Sequence, residues 1–194
     1  MRSPEHTVIE MPPAANVGSH APFVPTEYII KHVTERWERR EAARLRRQVF
    51  CTEQGLFEGS DADAIDRIAT TIVAISCLFG LPEQVVGTVR IHETQPGIWH
   101  GSRLAVQRDY RRSAMLGSEL IRMAVSTAHG RGAHRFLAQV QAQNVALFQR
   151  LHWQSLGEIS LCGRLHHTMQ ASLYHYPPCF IGEVGFVSTL RQAA

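Results

Sequence analysis

Between Leu104 and Ile121 the chain reads Leu-Ala-Val-Gln-Arg-Asp-Tyr-Arg-Arg-Ser-Ala-Met-Leu-Gly-Ser-Glu-Leu-Ile, an order of residue types suited to holding an anion. An apolar, strand-like segment ends at Val106, a polar turn brings Arg111 and Arg112, and an amphipathic helix begins. The first turn of a helix has N–H groups without intrahelical acceptors and carries the positive end of the helix dipole, so it attracts negative charge. Ser113, Ala114 and Gly117 are small enough to let a pyrophosphate approach the backbone, and arginine adds planar donors at the rim. An ordinary strand-to-helix turn with solvated arginines has the same composition, so the turn alone does not decide between the two.

Other groupings carry less chemistry. Asp61, Asp63 and Asp66 offer oxygen ligands for a hard cation, but the segment lacks the glycine and distal glutamate of a calcium-binding loop and reads as a solvated acidic loop. His166 and His167 are adjacent, so in a strand they point to opposite faces and cannot share a metal. Cys51 follows an apolar helix face with no base nearby in sequence and reads as a buried structural thiol. The four cysteines form no CxxC pair, which argues against a zinc knuckle and against a disulfide scaffold. No metal site is expected. Glu35, Glu38 and Glu41 offset the arginines of the first helix, which speaks against a nucleic-acid surface.

The elements that position these residues alternate in period. Glu27 to Val33 reads as a strand, and a helix capped by Thr34 runs to about Phe50 with Ala42, Leu45 and Val49 on one face. Gly55 to Asp66 is a loop, and Ile68 to Phe79 is a β-branched strand buried on both faces. Gly80, Leu81 and Pro82 turn the chain into a strand from Val85 to His92, with Val85, Gly87, Val89 and Ile91 on one side and Thr88, Arg90 and His92 on the other. Ile98 to Val106 is the next strand. Leu116, Leu120, Ile121, Ala124 and Ala128 then mark a helix ending near Gly130. A strand from Phe136 to Val140, a short helix from Asn144 to Leu151, and strands Trp153 to Leu161 and Leu165 to Tyr174 follow, and Pro177-Pro178 ends the regular structure.

Strand, anion-type turn, helix, strand, Asn144, short helix and Trp153 form an order that resembles the GNAT acyltransferase superfamily, in which the turn carries Arg/Gln-x-x-Gly-x-Gly/Ala. Here Ala114 takes the first glycine place and Gly117 lies one residue later, which implies a turn one residue longer. The resemblance covers about Glu41 to Tyr174. Upstream, Arg46-Arg-Gln-Val-Phe-Cys-Thr-Glu-Gln54 is similar to an Arg-x-x-Val-Phe-x-x-Glu-Gln signature of some GNAT proteins, looser in acyl-homoserine-lactone synthases. Gly101 to Val106 and Tyr176-Pro-Pro178 also resemble a GNAT subfamily encoded beside a nitrilase in bacterial gene clusters.

The resemblance implies an α/β (α+β) fold, one domain with a mixed central sheet of about six to seven strands flanked by helices. It implies acyl transfer from a CoA thioester, most simply acetyl-CoA, to a small primary amine. The alternatives are a longer-chain acyltransferase and an acyl-CoA-binding module without catalysis. By the same resemblance Leu104, Ala105 and Val106 pair with the pantetheine arm, and the N–H groups across Arg112, Ser113, Ala114, Met115, Leu116, Gly117 and Ser118, with Arg111, hold the pyrophosphate. Asn144 bonds the pantetheine. His100 stands where many members carry a basic glutamate, on the strand face shared with Ser102 and Leu104 unless a bulge intervenes, and Glu53 is a competing base. Phe148 replaces the usual tyrosine acid, which leaves Tyr174, Ser155, water or unassisted departure of the thiolate. The sheet is expected to splay between Ile98–Val106 and Arg135–Val140.

The 194 residues, 44% hydrophobic and 19% charged with a formal net charge of +3, suit one globular domain. Residues 1–25 read as an irregular arm, 26–176 as the domain and 177–194 as a tail. No apolar run approaches a membrane span, and no secretory leader is read, so a reducing cytoplasm is the expected setting. Homodimerisation is expected from the family.

Overall fold

Period-2 segments rich in Val, Ile and Thr pair into one sheet, and two amphipathic helices cover its opposite faces. The structure is a computed structural model that describes residues 25, 27–111 and 115–189. Its strands are β1 (Glu27–His32), β2 (Thr70–Leu78), β3 (Leu81–Gln95), β4 (Ile98–Val106), β5 (Arg135–Gln141), β6 (Trp153–Leu161), β7 (Arg164–Ala171) and β8 (Phe186–Thr189). They lie in the order β6-β7-β5-β4-β3-β2-β1-β8. The β4–β5 pair is parallel, and its crossover is α2 (Leu116–Gly130), the other helices being α1 (Arg36–Arg47) and α3 (Val145–Arg150). A parallel pair requires such a crossover, which explains why the longest helix sits between these two strands.

On one face Leu116, Leu120, Ala124 and Ala128 of α2 pack on Ile72, Ala74, Val89 and Ile91. On the other, Ala42, Leu45 and Val49 pack on Val73, Ile75, Val85 and Ala105. Val85 thus lies on the face opposite to the one its spacing suggests. A bulge between Ala74 and Ile75 inserts Val86 into the ladder and shifts the alternation. Helix α1 is capped by Glu35 and not by Thr34, because the Glu38 carboxylate accepts from both backbone N–H groups at 2.8 and 3.0 Å. It does not run smoothly to Phe50 but widens into a π-helical turn, Gln48–Glu53.

The sheet has eight strands where six to seven are expected. The additional one, β8, comes from the segment read as a tail beyond Pro177-Pro178. Its residues pair with Glu27–Ile30 and so satisfy the outer edge of β1. Four residues with little burial leave no periodic signal. The approach to β8 is tied down by the bond from the His32 N–H to the Gly182 carbonyl (2.8 Å) and by the buried His32 ring, bonded to Thr127 Oγ1 at 2.9 Å. The expected arm lies outside the described residues up to residue 24. Among the described residues no helix is long and apolar enough to cross a membrane.

Gly185 turns the chain into β8 with φ of +67°, and a Cβ there would overlap the Ile30 carbonyl. Gly185→Ala is therefore expected to destabilise the protein by about 1–3 kcal/mol. The loss should appear in thermal unfolding and as faster amide exchange of β1.

Candidate active site

The sheet opens between β4 and β5. Their pairing covers only Ile98–Gly101 against Arg135–Ala138, although each strand continues. The cause is local: Arg103 has φ of +55°, and Arg103 and Leu104 together oppose Val89 alone, a bulge that bends β4 away from β5. The expected splay is therefore present. Beyond Gly101 the β5-facing edge of β4 has no strand partner among the described residues.

A cavity of about 370 Å³ occupies the gap and reaches both faces of the sheet. Towards α2 it is apolar, bounded by Ile121, Ala124, Phe136, Phe148 and Trp153. Phe148 and Phe136 meet the Trp153 ring edge-on at 5.0 and 5.7 Å. Towards α1 it is polar, bounded by Phe57, Asp63, Arg90, His92, His100 and Arg103. The bulge also reassigns faces. His100 and Ser102 share the α1 side, Ser102 Oγ accepting from Arg90 Nε at 2.9 Å, whereas Leu104 packs with Val106 on the α2 side. Leu104 is thus not on the face of His100 and Ser102 that unbroken alternation gives it.

His100 lies opposite His92, their ring centroids 6.0 Å apart. Burial lowers the pKa of both imidazoles, helped by Arg135 for His100 and by His100 and Arg90 for His92. Both are neutral at pH 7, the form that accepts a proton. His92 Nδ1 is buried and has no bonding partner among the described residues.

The loop read as solvated carries a buried ion network instead. Arg46 bonds Asp61 at 2.7 Å and Asp66 at 2.5 and 2.9 Å. Arg90, 1% exposed, grips Asp63 at 2.7 and 2.6 Å, and Arg103 reaches Asp61 at 3.0 Å. Its guanidinium lies 4.4 Å from the Phe57 ring centroid. Arg90 and Arg103 were missed as site residues. The available signal was a charged residue in the middle of an otherwise buried strand, which folds only if paired.

Arg111 Nε donates to the Val106 carbonyl at 2.8 Å and Nη2 to Glu53 at 2.6 Å. Glu53 is thereby held in an ion pair and does not line the cavity, whereas His100 does. Arg112, Ser113 and Ala114 lie outside the described residues. Met115 caps α2 without a side-chain bond, so the N–H groups of Leu116, Gly117 and Ser118 have no intrahelical acceptor. Space around Gly117 is open. Asn144 is exposed and borders the cavity, and Ala105 is buried. Neither Tyr174 nor Ser155 lines the cavity.

Asp61→Asn is expected to cost about 3–5 kcal/mol by leaving Arg46 and Arg103 short of an anion, measurable by denaturant unfolding. Arg90 holds the Asp63 carboxyl below its usual range, and for Asp66 the bonds from Arg46 outweigh the opposing effect of burial. The stability these two carboxylates contribute is present above about pH 4 and lost as pH falls through their lower folded values. Melting temperatures measured from pH 7 downwards should show this fall, and Asp66→Asn should flatten it.

Residues 36–153 match the acetyltransferase (GNAT) family. No curated protein matches the chain. Among solved structures it is similar to an acyl-CoA N-acyltransferase from Pseudomonas aeruginosa (19% identity, TM-score 0.59, covering 75% of this chain and 99% of that one). It is also similar to Escherichia coli ElaA (18%, TM-score 0.62, 75% and 98%) and to FeeM, an N-acyl amino acid synthase from uncultured soil microbes (13%, TM-score 0.60, 77% and 94%). At these identities the likeness is one of fold, and with the family match over more than half of the chain it means that the chain belongs to the acetyltransferase (GNAT) family and is an acyltransferase.

Proposed function

We propose that the protein is an N-acyltransferase that moves an acyl group, most simply acetyl, from acetyl-CoA to a small primary amine by direct attack. The observation that carries this reading is the cavity through the splayed sheet, walled on one side by α2, whose first N–H groups lack intrahelical acceptors, and on the other by a histidine of lowered pKa. The N–H groups across Arg112, Ser113, Ala114, Met115, Leu116, Gly117 and Ser118 would take the pyrophosphate. The β4 edge from Leu104 through Ala105 to Val106, which has no strand partner among the described residues, would take the pantetheine amides beside the Val106 carbonyl held by Arg111, with the Asn144 side chain as a further partner. Arg111 would act mainly by bracing this turn against Glu53.

In the reaction the amine nitrogen attacks the thioester carbonyl, the carbon–sulfur bond breaks and the thiolate leaves with its electron pair. His100 takes the ammonium proton, and solvent protonates the thiolate because Phe148 has no proton to give. His100 is preferred to Glu53 because it borders the cavity and is neutral at pH 7. A longer acyl donor is a second reading, favoured by the apolar limb formed by Ile121, Phe136 and Trp153. We also propose a cytoplasmic homodimer, supported by the exposed Leu156, Ile159 and Leu165 of the β6–β7 hairpin.

Thiol release from acetyl-CoA and hexanoyl-CoA against a panel of amines tests the activity. Release should depend on the amine, and a panel that never raises it above hydrolysis sinks the proposal. His100→Gln should reduce kcat/KM about 10²- to 10⁴-fold. In the unaltered enzyme kcat/KM should fall as pH drops below about 6.5, the region in which a histidine of lowered pKa gains its proton, and this limb should vanish in the variant.

A further inference from the structure

Among the described residues the polar limb of the cavity has one uncommitted cationic donor and no uncommitted carboxylate. Arg46 spends Nε, Nη1 and Nη2 on Asp61 and Asp66. Arg90 spends Nε on Ser102 and both terminal nitrogens on Asp63. Arg103 gives Nε and Nη2 to Asp61 and Asp63, while its Nη1 has no acceptor among the described residues. Among the described residues Asp63 is the only acidic one in the cavity wall. Both its oxygens already accept from Arg90, and Oδ2 also accepts from Arg103 at 3.4 Å.

That Nη1 is held in place. The positive φ of Arg103 turns its side chain out of the β4 ladder, and the guanidinium lies against the Phe57 ring with Phe50 beyond it at 5.9 Å. Burial and the neighbouring Arg90 cation disfavour its charge by more than Asp61 and Asp63 support it, so an added anion would favour the charged form. The site projects to the same side of the sheet as His100, three residues earlier on β4. The free Nη1 supplies N–H donors on a guanidinium whose charge Asp61 and Asp63 already share, which matches a singly charged carboxylate and falls short of a doubly charged phosphate.

We propose that the acceptor is an amine bearing a carboxylate, an α-amino acid in its simplest form, whose carboxylate binds Arg103 Nη1 while its amine faces His100. This rests on the acyl-transfer reading above and names its acceptor class. The cavity of about 370 Å³ is shared with the donor arm, so the acceptor is small.

The test compares amino acids with the amines that lack only the carboxylate: alanine with ethylamine, leucine with isopentylamine, tyrosine with tyramine. Thiol release is followed from acetyl-CoA and hexanoyl-CoA. In at least one pair the amino acid should exceed its decarboxylated partner in kcat/KM by about 10- to 100-fold, the worth of a charge-assisted bond, and Arg103→Gln should bring that ratio towards one. Arg103→Lys, which keeps the charge and a bond to Asp61, should give an intermediate ratio. Each ratio is taken within one preparation, so incomplete folding of a variant scales both members alike. Equal or better turnover of the carboxylate-free amines overturns this inference and leaves acyl transfer standing, as does a ratio that survives in Arg103→Gln. No release with any amine or amino acid overturns acyl transfer itself.

Discussion

The bulge at Arg103 is the constraint on which the site depends. A residue with a side chain at φ of +55° costs of order 1–3 kcal/mol, and the ladder loses regular pairing opposite Val89. In exchange β4 turns away from β5, the faces of the strand exchange after Ser102, and a guanidinium is delivered to the acidic loop. The Asp61 and Asp63 carboxylates and the Phe57 ring hold that guanidinium in place. Burying Arg46, Arg90 and Asp61 for stability alone would be a poor arrangement, since an apolar core of the same volume often does as well. Their directed bonds do what apolar packing cannot: they fix the loop, the end of α1 and the bulge in one register.

The two sides of the opened sheet have different physical character, and each suits one half of an acyl transfer. Towards α2 the walls are aromatic and aliphatic, while the helix supplies a positive partial charge only at its end, near solvent, where a phosphate would stay partly hydrated. Towards α1 the wall is charged but almost fully self-neutralised, so the low-dielectric interior is tolerable and a neutral imidazole is favoured over its cation. The π-helical turn at Gln48–Glu53 belongs to the same arrangement. It brings Phe50 and Gln54 to the cavity wall while Glu53 reaches across to Arg111.

Most of this architecture was legible in the sequence because it rests on period. Ala42, Leu45 and Val49 recur at helical spacing, β2 is almost continuously apolar and β-branched, and the change of period after Val106 marks the α2 crossover and with it the parallel pair. What escaped was non-local. The acidic loop looked solvated because nothing in its own composition names Arg46, Arg90 and Arg103 as partners, and those arginines lie on three different elements. The bulges shifted Val85 and Leu104 to faces that strict alternation denies them. Glu53 and Arg111 could each be singled out, but only the fold brings them together, 58 positions apart in the chain.

β8 lies against β1, and nearly the whole described chain separates the two strands. During synthesis β1 can zip onto β2 long before β8 has emerged, leaving a row of bare amides and carbonyls along the Glu27–Ile30 edge. Such an edge is a template for any extended chain that meets it, and closing so long a loop is among the slowest steps available to a nascent protein. The glycine-jointed segment from Gly182 to Gly185 therefore works as a latch set last. While it is open the newborn enzyme is at its most adhesive, and once it is shut the four-residue β8 takes over as a shorter edge.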